Sequence, residues 1–378
     1  MKKTLFLSAI LFFIMFFSFG CNKNSATTIT FSSWGSASEI EILKPILKEF
    51  ENNNPNIKIE FLHFPQNYFQ KIHLLFASKT APDVIFINNL SIPIYADFLE
   101  DLTSLTDTTQ FYPKALEVLT YNNKLLAIPR DISNLIIYYN KDIFDKYKIK
   151  YPQKNWNFDD LLSICENLKN NNTFCISYDE NTMYLLPFLM SSGGGILSDN
   201  LKSEIINTKN SQFGIKFYKD LRYKYNYAPS RSDAATSTMA QMFLNKKIAM
   251  HLSGRWLVPK YREAANFNWD IINFPSGMQG SIVPADASGW AVNKYSTHKK
   301  EALELVKFLS SKNSISKFTQ SGLIVPARID VAESNIFING KPENSEVFIK
   351  TIKTSKKTPV NNNYKKLTDK IDKILSVK

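Results

Sequence analysis

The chain has 378 residues, with 46 Lys and Arg against 34 Asp and Glu for a net charge of +12. An apolar fraction of 44%, with 28 Phe, 17 Tyr and 5 Trp, excludes a disordered chain and predicts two or three domains of about 150 residues each. All but six of the basic residues are Lys, scattered among Asn and Ile rather than gathered in a stripe, so no nucleic-acid partner is expected.

Lys2 and Lys3, followed by the apolar stretch from Thr4 to Phe19, have the architecture of a signal peptide over residues 1–20. The stretch is short for a membrane span of about 20 residues. It ends at Gly20-Cys21, and residues 21–28 form a polar tether. This arrangement resembles a bacterial lipoprotein signal, which implies that Cys21 is lipidated and anchors an extracytoplasmic protein to the membrane. Ser18-Phe19 depart from the usual lipobox, where Leu and a small residue stand.

Thr28 to Phe31 reads as a strand, and Ser38 is the expected N-cap of a helix carrying Ile42, Ile46, Leu47 and Phe50. Asn52 to Pro55 breaks that helix. Ile57 to Phe61 alternates as a second strand, a helix spans Tyr68 to Ser78, and Val84 to Ile87 reads as a buried strand. Alternating strands and helices predict an α/β sheet with helices on both faces. Ligands of such sheets gather beyond the carboxyl ends of strands, which here means Ser33-Trp34-Gly35 and Asn88-Asn89.

Lys124 to Asp131 then runs into Leu135 to Asn140, two extended segments with no helix between them, as suits a crossover between lobes. Trp156 to Leu161 opens a helix with an acidic first turn, favourable for the helix dipole. Cys165 and Cys175, ten apart, are free to pair in an oxidising compartment. A bond there would only tie a helix to the next strand, so two buried thiols are expected. Ser191 to Gly195 is a turn-rich break, Phe213 to Arg222 is helical, and Tyr364, Leu367, Ile371, Ile374 and Leu375 have helical spacing near the end.

A rival class is an enzyme such as a surface glycosidase, which would need two carboxylates positioned about 5 to 10 Å apart. No acidic residue sits in a catalytic motif, neither Cys has a His within ten residues, and the four His show no metal-ligand spacing, so no metal and no cofactor are expected. A repeat period, which a structural adhesin would carry, is also missing.

Several stretches occur in one order: Ala81-Pro82-Asp83-Val84-Ile85, Leu126 to Asp131, Tyr139 to Phe144, Trp156 to Leu162 and Gly193-Gly194. Phe243 to Met250, Ser253-Gly254-Arg255-Trp256, Ser288 to Val292 and Lys300-Glu301-Ala302 follow. Taken together they resemble the family 1 extracellular solute-binding proteins, the sugar-binding subunits of bacterial ABC importers. The resemblance implies a two-lobed, type II periplasmic-binding-protein-like α/β fold with crossover strands, working as a monomer that delivers a sugar to permease subunits. Lobe one would take 29–131 and 290–325, and lobe two 134–285 and 328–378.

A sugar offers hydroxyls that need polar partners and apolar faces that stack on rings. Trp34, Trp256 and Trp290 are the candidate stacking rings, whereas Trp156 and Trp269 fall where the family uses the ring structurally. Asp131, Asn88 and Asn89 are candidate hydroxyl partners, and Tyr184 and Gly194 lie in loops that line the cleft in relatives. Of the six Arg, three (Arg130, Arg255 and Arg328) stand beside predicted crossovers or cleft loops. If two of them face the cleft, an anionic ligand such as a glycerol phosphate becomes an alternative to a neutral sugar.

Overall fold

The computed structural model describes residues 26–169 and 172–375. The signal peptide and Cys21 lie outside the described residues.

Strands β1 (Thr27–Ser33), β2 (Ile57–His63), β3 (Val84–Asn88) and β4 (Ile128–Ser133) belong to one sheet. A second sheet holds β5 (Ile136–Asn140), β6 (Phe174–Ser177), β7 (Ile248–Ser253) and β8 (Trp269–Ile272). The chain returns to the first sheet with β9 (Pro284–Val292) and β10 (Lys356–Lys357). The first sheet runs β10-β9-β3-β1-β2 with β4 also on β9, and the second runs β8-β5-β7-β6. β1 is parallel to both β2 and β3, whereas β9 lies antiparallel to β3 and β4.

Position in the sheet explains composition. β3 has neighbours on both edges, and its Val84, Ile85, Phe86 and Ile87 are all buried. β2, at the edge, alternates Lys58 and Glu60 with Ile57, Ile59 and Phe61.

Helix α1 (Ala37–Asn53) buries Ile40, Leu43, Ile46, Leu47 and Phe50 against this sheet. Its N-cap is Ser36, not the expected Ser38: the Ser36 hydroxyl accepts from the Glu39 amide while Ser36 itself stays extended. Helices α2 (Tyr68–Ala77), α3 (Phe158–Leu168), α4 (Thr182–Ser191), α5 (Lys209–Tyr223), α6 (Met239–Leu244) and α7 (Val258–Ala264) follow. α8 (Lys299–Leu309) and α9 (Lys312–Gln320) pack on α1, and α10 (Asn335–Ile338) packs on α9. α11 (Glu346–Thr354) and α12 (Tyr364–Leu375) end the described chain, with α12 lying on α4. No helix among the described residues is long and apolar enough to cross a membrane.

Only Asn134 and Leu135 separate the last residue of β4 from the first of β5, so one continuous extended segment passes from sheet to sheet. A later stretch runs alongside it, with Pro326 bridging Asp131 and the Ala327 amide donating to the Arg130 carbonyl at 3.1 Å.

Two expectations are corrected here. Cys165 and Cys175 form a disulfide, because the reversal from α3 into β6 brings their Cα atoms to 5.0 Å, within bonding range. Trp290 is buried between Phe86 and Phe318, at ring separations of 6.1 and 6.3 Å, and belongs to the core.

Candidate functional site

The end of β1, the end of β4 and Ser288 of β9 face the loop after β7 across a cavity of about 250 Å³. Its lining includes Trp34, Glu39, Arg130, Asp131, Arg255 and Trp256. A larger cavity of about 480 Å³ opens on the other side of the same loop, bounded by Asp179, Tyr184, His251, Ser253, Trp256 and the 234–240 segment. Trp256 lines both cavities and keeps 37% of its surface exposed, an unusual allowance for an indole in a well-packed protein.

Local sequence dictates how that ring is presented. Gly254 has an extended backbone (φ −106°, ψ 179°), so it is not there for a left-handed turn. A Cβ at this position would collide with the Trp256 ring, which folds back over the glycine. The Gly254 carbonyl accepts from the Tyr138 hydroxyl at 2.9 Å, fixing the backbone from below. Arg255 turns inward and is buried, its guanidinium 4.0 Å from the Phe337 ring centre and 5.2 Å from Phe348. None of its three nitrogens has a hydrogen-bond partner, and burial pulls its pKa down to about 9.

The facing wall is held by charge. Arg130 Nη1 lies 2.5 Å from Glu39 Oε1 and its Nε 2.7 Å from Asp131 Oδ2, with the guanidinium plane 4.3 Å from the Phe86 ring centre. Burial works against the Arg130 charge, but the two carboxylates outweigh it and hold the group more firmly protonated. Glu39 and Asp131 thus keep their orientation while presenting further acceptor lone pairs.

In the larger cavity, burial raises the Tyr184 phenol to about 12 and pulls the His251 imidazole down to about 3, where Lys260 adds to the effect. His251 is therefore neutral near pH 7, with Nδ1 2.5 Å from the Tyr261 hydroxyl. Among the described residues no group of His, Cys, Asp and Glu could hold a metal ion.

The family profile for bacterial extracellular solute-binding proteins matches residues 36–314. The chain belongs to that family. An uncharacterised ABC transporter extracellular-binding protein of Pyrococcus horikoshii is 27% identical over 76% of this chain and 70% of its own. A multiple sugar-binding protein of Streptococcus mutans is 23% identical over 79% and 76% of the two chains. Among solved structures, an ABC substrate-binding protein from Listeria monocytogenes in complex with cycloalternan superposes with a TM-score of 0.85 at 25% identity, covering 93% of this chain and 94% of its own. The mixed α/β architecture is the two-lobed one of these substrate-binding proteins.

Within this solute-binding protein, Trp34, Asp131, Arg255 and Trp256 meet around the smaller cavity and Tyr184 lines the larger one. Trp34 is half-buried on Phe86, Tyr68 and Phe69. Other sequence candidates are engaged elsewhere. Asn88 Oδ1 accepts from the Ser91 amide. Asn89 is buried, donating to Asp286 at 2.9 Å and accepting from the Ala287 amide at 3.0 Å, and so ties β3 to β9. Arg328 forks onto Asp330 at 3.0 and 2.9 Å. Gly194 lies against the Ser211 backbone of α5, leaving no room for a Cβ.

Sequence reasoning missed Glu39, His251, Ser253 and the 234–240 segment, and it singled out Tyr184 but not Asp179 from the 178–184 stretch that lines the cleft in relatives. Glu39 carried a signal, being third after Ser36 in a capping-box spacing, but its carboxylate goes to Arg130 instead. Asp179 carried one too, lying just past the carboxyl end of β6.

Proposed function

We propose that this solute-binding protein captures a neutral sugar in the cleft between its lobes and delivers it to the permease subunits of an ABC importer. The observation that carries the reading is the half-exposed Trp256 ring standing between two cavities with carboxylates on both sides, Asp131 in one and Asp179 in the other. An indole face and nearby acceptors are what a pyranose, with its apolar face and ring of hydroxyl donors, requires.

An anionic ligand fits less well. Arg130 and Arg328 are already paired with carboxylates, and the Arg255 nitrogens are enclosed between aromatic rings. Catalysis is not part of the proposal, since Glu39 and Asp131 are both pinned to the Arg130 guanidinium. Lipid attachment at Cys21, a monomeric state, and lobes divided at 131–134, 285–290 and 325–328 complete it. A thermal-shift screen with sugars, sugar phosphates and polyols tests the reading, because a ligand of the native state raises Tm by mass action. A response to sugar phosphates alone would overturn it in favour of an anion binder.

A further inference from the structure

Four of the ten large apolar side chains exposed among the described residues fall in one part of the molecule: Leu74, Ile94, Phe98 and Tyr295. Phe98 keeps 37% of its surface exposed and Tyr295 68%. Their rings meet edge to face at 6.5 Å. Behind Phe98 the run continues inward to Phe76 at 5.0 Å, and from Phe76 to Tyr95 at 5.3 Å. Leu74 and Ile94 are the neighbours in sequence of His73 and Tyr95, whose rings are 6.4 Å apart. Single apolar residues are ordinary on a surface, but a joined run of them marks a contact.

Backbone contacts place this run at the end of the first sheet where β1 begins. The Thr30 amide donates to Asp83 Oδ2 at 2.8 Å, and the Asn293 amide donates to the Asp83 carbonyl at 2.9 Å. The next amide, that of Lys294, donates to the Phe98 carbonyl at 2.8 Å, and Tyr295 follows. The patch is therefore tied to β1 three residues after Thr27, whereas Trp34 and the cavity beside it lie past the other end of that strand. Cys21 stands six residues before Thr27, so the chain between them spans no more than about 20 Å when fully extended. A lipid on Cys21 thus brings a bilayer surface within reach of the same end of the sheet as the aromatic patch.

The rim suits that surface. Lys294 precedes Tyr295, and Lys300 lies in the first turn of α8. Lys79 lies two residues before Ala81, whose carbonyl accepts from the Asn293 side chain at 3.1 Å. All three lysines are exposed, with Asp97 beside Phe98 as an opposing charge and Lys299 already taken by Glu100 at 2.9 Å. Aromatic rings settle at the headgroup level of a bilayer, and lysines reach anionic headgroups.

We propose that this patch rests on the membrane, with Phe98 and Tyr295 in the headgroup layer and Lys79, Lys294 and Lys300 on anionic lipid. The first sheet then stands on the bilayer by the end where β1 begins, with the Trp34 cavity at its far end. The inference rests on the lipid attachment at Cys21 proposed above. Because the tether keeps the bilayer at high local concentration, a contact of low intrinsic affinity is enough.

The test uses the lipidated mature chain in vesicles of phosphatidylcholine, alone or mixed equally with phosphatidylglycerol, with a quencher on the headgroups. An environment-sensitive fluorophore is placed at Thr297→Cys, beside the patch, and in a second protein at Lys209→Cys in α5, which packs on α4. The Thr297 probe should be quenched and blue-shifted in vesicles, and the Lys209 probe neither. Tyr295→Ser, which removes a ring that is mostly solvent-exposed, should abolish the blue shift, with circular dichroism confirming the fold. Lys79→Gln/Lys294→Gln/Lys300→Gln should lose the extra quenching that phosphatidylglycerol brings. Equal signals from the two probes, or signals unchanged by both sets of substitutions, would overturn the inference and leave the anchor intact. Disulfide cross-linking between Thr297→Cys chains in detergent that Tyr295→Ser abolishes would overturn it in favour of a second copy as the occupant. A chain that incorporates no labelled fatty acid at Cys21 would overturn both the inference and the anchor.

Discussion

The guanidinium of Arg255 sits 4.0 Å from the centre of the Phe337 ring, so the residue next to the exposed Trp256 is anchored in the core by an aromatic face. A cation–π contact contributes about 2 kcal/mol when desolvated, less than the several kcal/mol that burying an unpaired charge costs. Arg255→Met keeps the volume and removes the charge, and is expected to leave stability unchanged or raise it by about 1 kcal/mol. Ligand affinity should stay within about twofold. Urea unfolding and calorimetry check both, and a tenfold loss of affinity would show that the guanidinium reaches the ligand after all.

Trp256 behaves differently because its ring stands partly exposed between two cavities. Trp256→Ala is expected to weaken ligand binding by about 1 to 3 kcal/mol, through loss of stacking area and of the shielding it gives nearby hydrogen bonds. A ring with 37% exposure supports little of the core, so the unliganded protein should unfold within about 1 kcal/mol of wild type. Unchanged affinity with a lower melting temperature would reverse the assignment.

Glu39 and Arg130 are 91 residues apart in sequence, and their ion pair shows where sequence reading stops. The order of strands and helices was legible because periodicity is local, and so was the helix-free run from β4 into β5. Which polar groups satisfy one another was not. Asn89 and Arg328 look like cleft residues from their strand-end positions, yet Asp286 and Asp330 take them into structural pairs. Asp179 is the converse case: its place just past the carboxyl end of β6 marks it locally, but only the tertiary structure shows that its carboxylate is left exposed. The disulfide depended on the tightness of one helix-to-strand reversal, a tertiary distance that spacing alone does not set.

Breaking the Glu39 contact should be costly. Glu39→Ala leaves Arg130 buried with Asp131 as its one remaining carboxylate, and removing one member of a buried charge network destabilises by about 3 to 5 kcal/mol. Urea unfolding of the variant reads this directly. A loss below about 1 kcal/mol would mean that water replaces the Glu39 carboxylate and that the wall is softer than its geometry implies.

Removing the Cys165–Cys175 bond perturbs a site that lines neither of the cavities beside Trp256. Closing a loop of this length restricts the unfolded chain by about 2 to 3 kcal/mol, so Cys165→Ala/Cys175→Ala is expected to lower stability by that amount. Ligand affinity should not change. Equal unfolding midpoints for the double variant and the oxidised wild type would refute the contribution.

His251 predicts how stability responds to acid. Its imidazole titrates at about 3 in the folded protein against 6.5 when unperturbed, because burial disfavours the charged form and Lys260 reinforces it. Between those values the unfolded chain binds a proton that the folded chain refuses, so stability rises with pH across the window and is lost on acidification through it. The loss is about 2 to 3 kcal/mol by pH 4.5, from 1.36 kcal/mol per unit. His251→Gln preserves a polar group beside the Tyr261 hydroxyl and cannot charge, so its unfolding free energy should fall less than that of wild type between pH 7 and 4.5. Urea titrations at four pH values in that window make the comparison. Parallel pH profiles for the two proteins would show that the acid sensitivity arises from the carboxylates and not from His251.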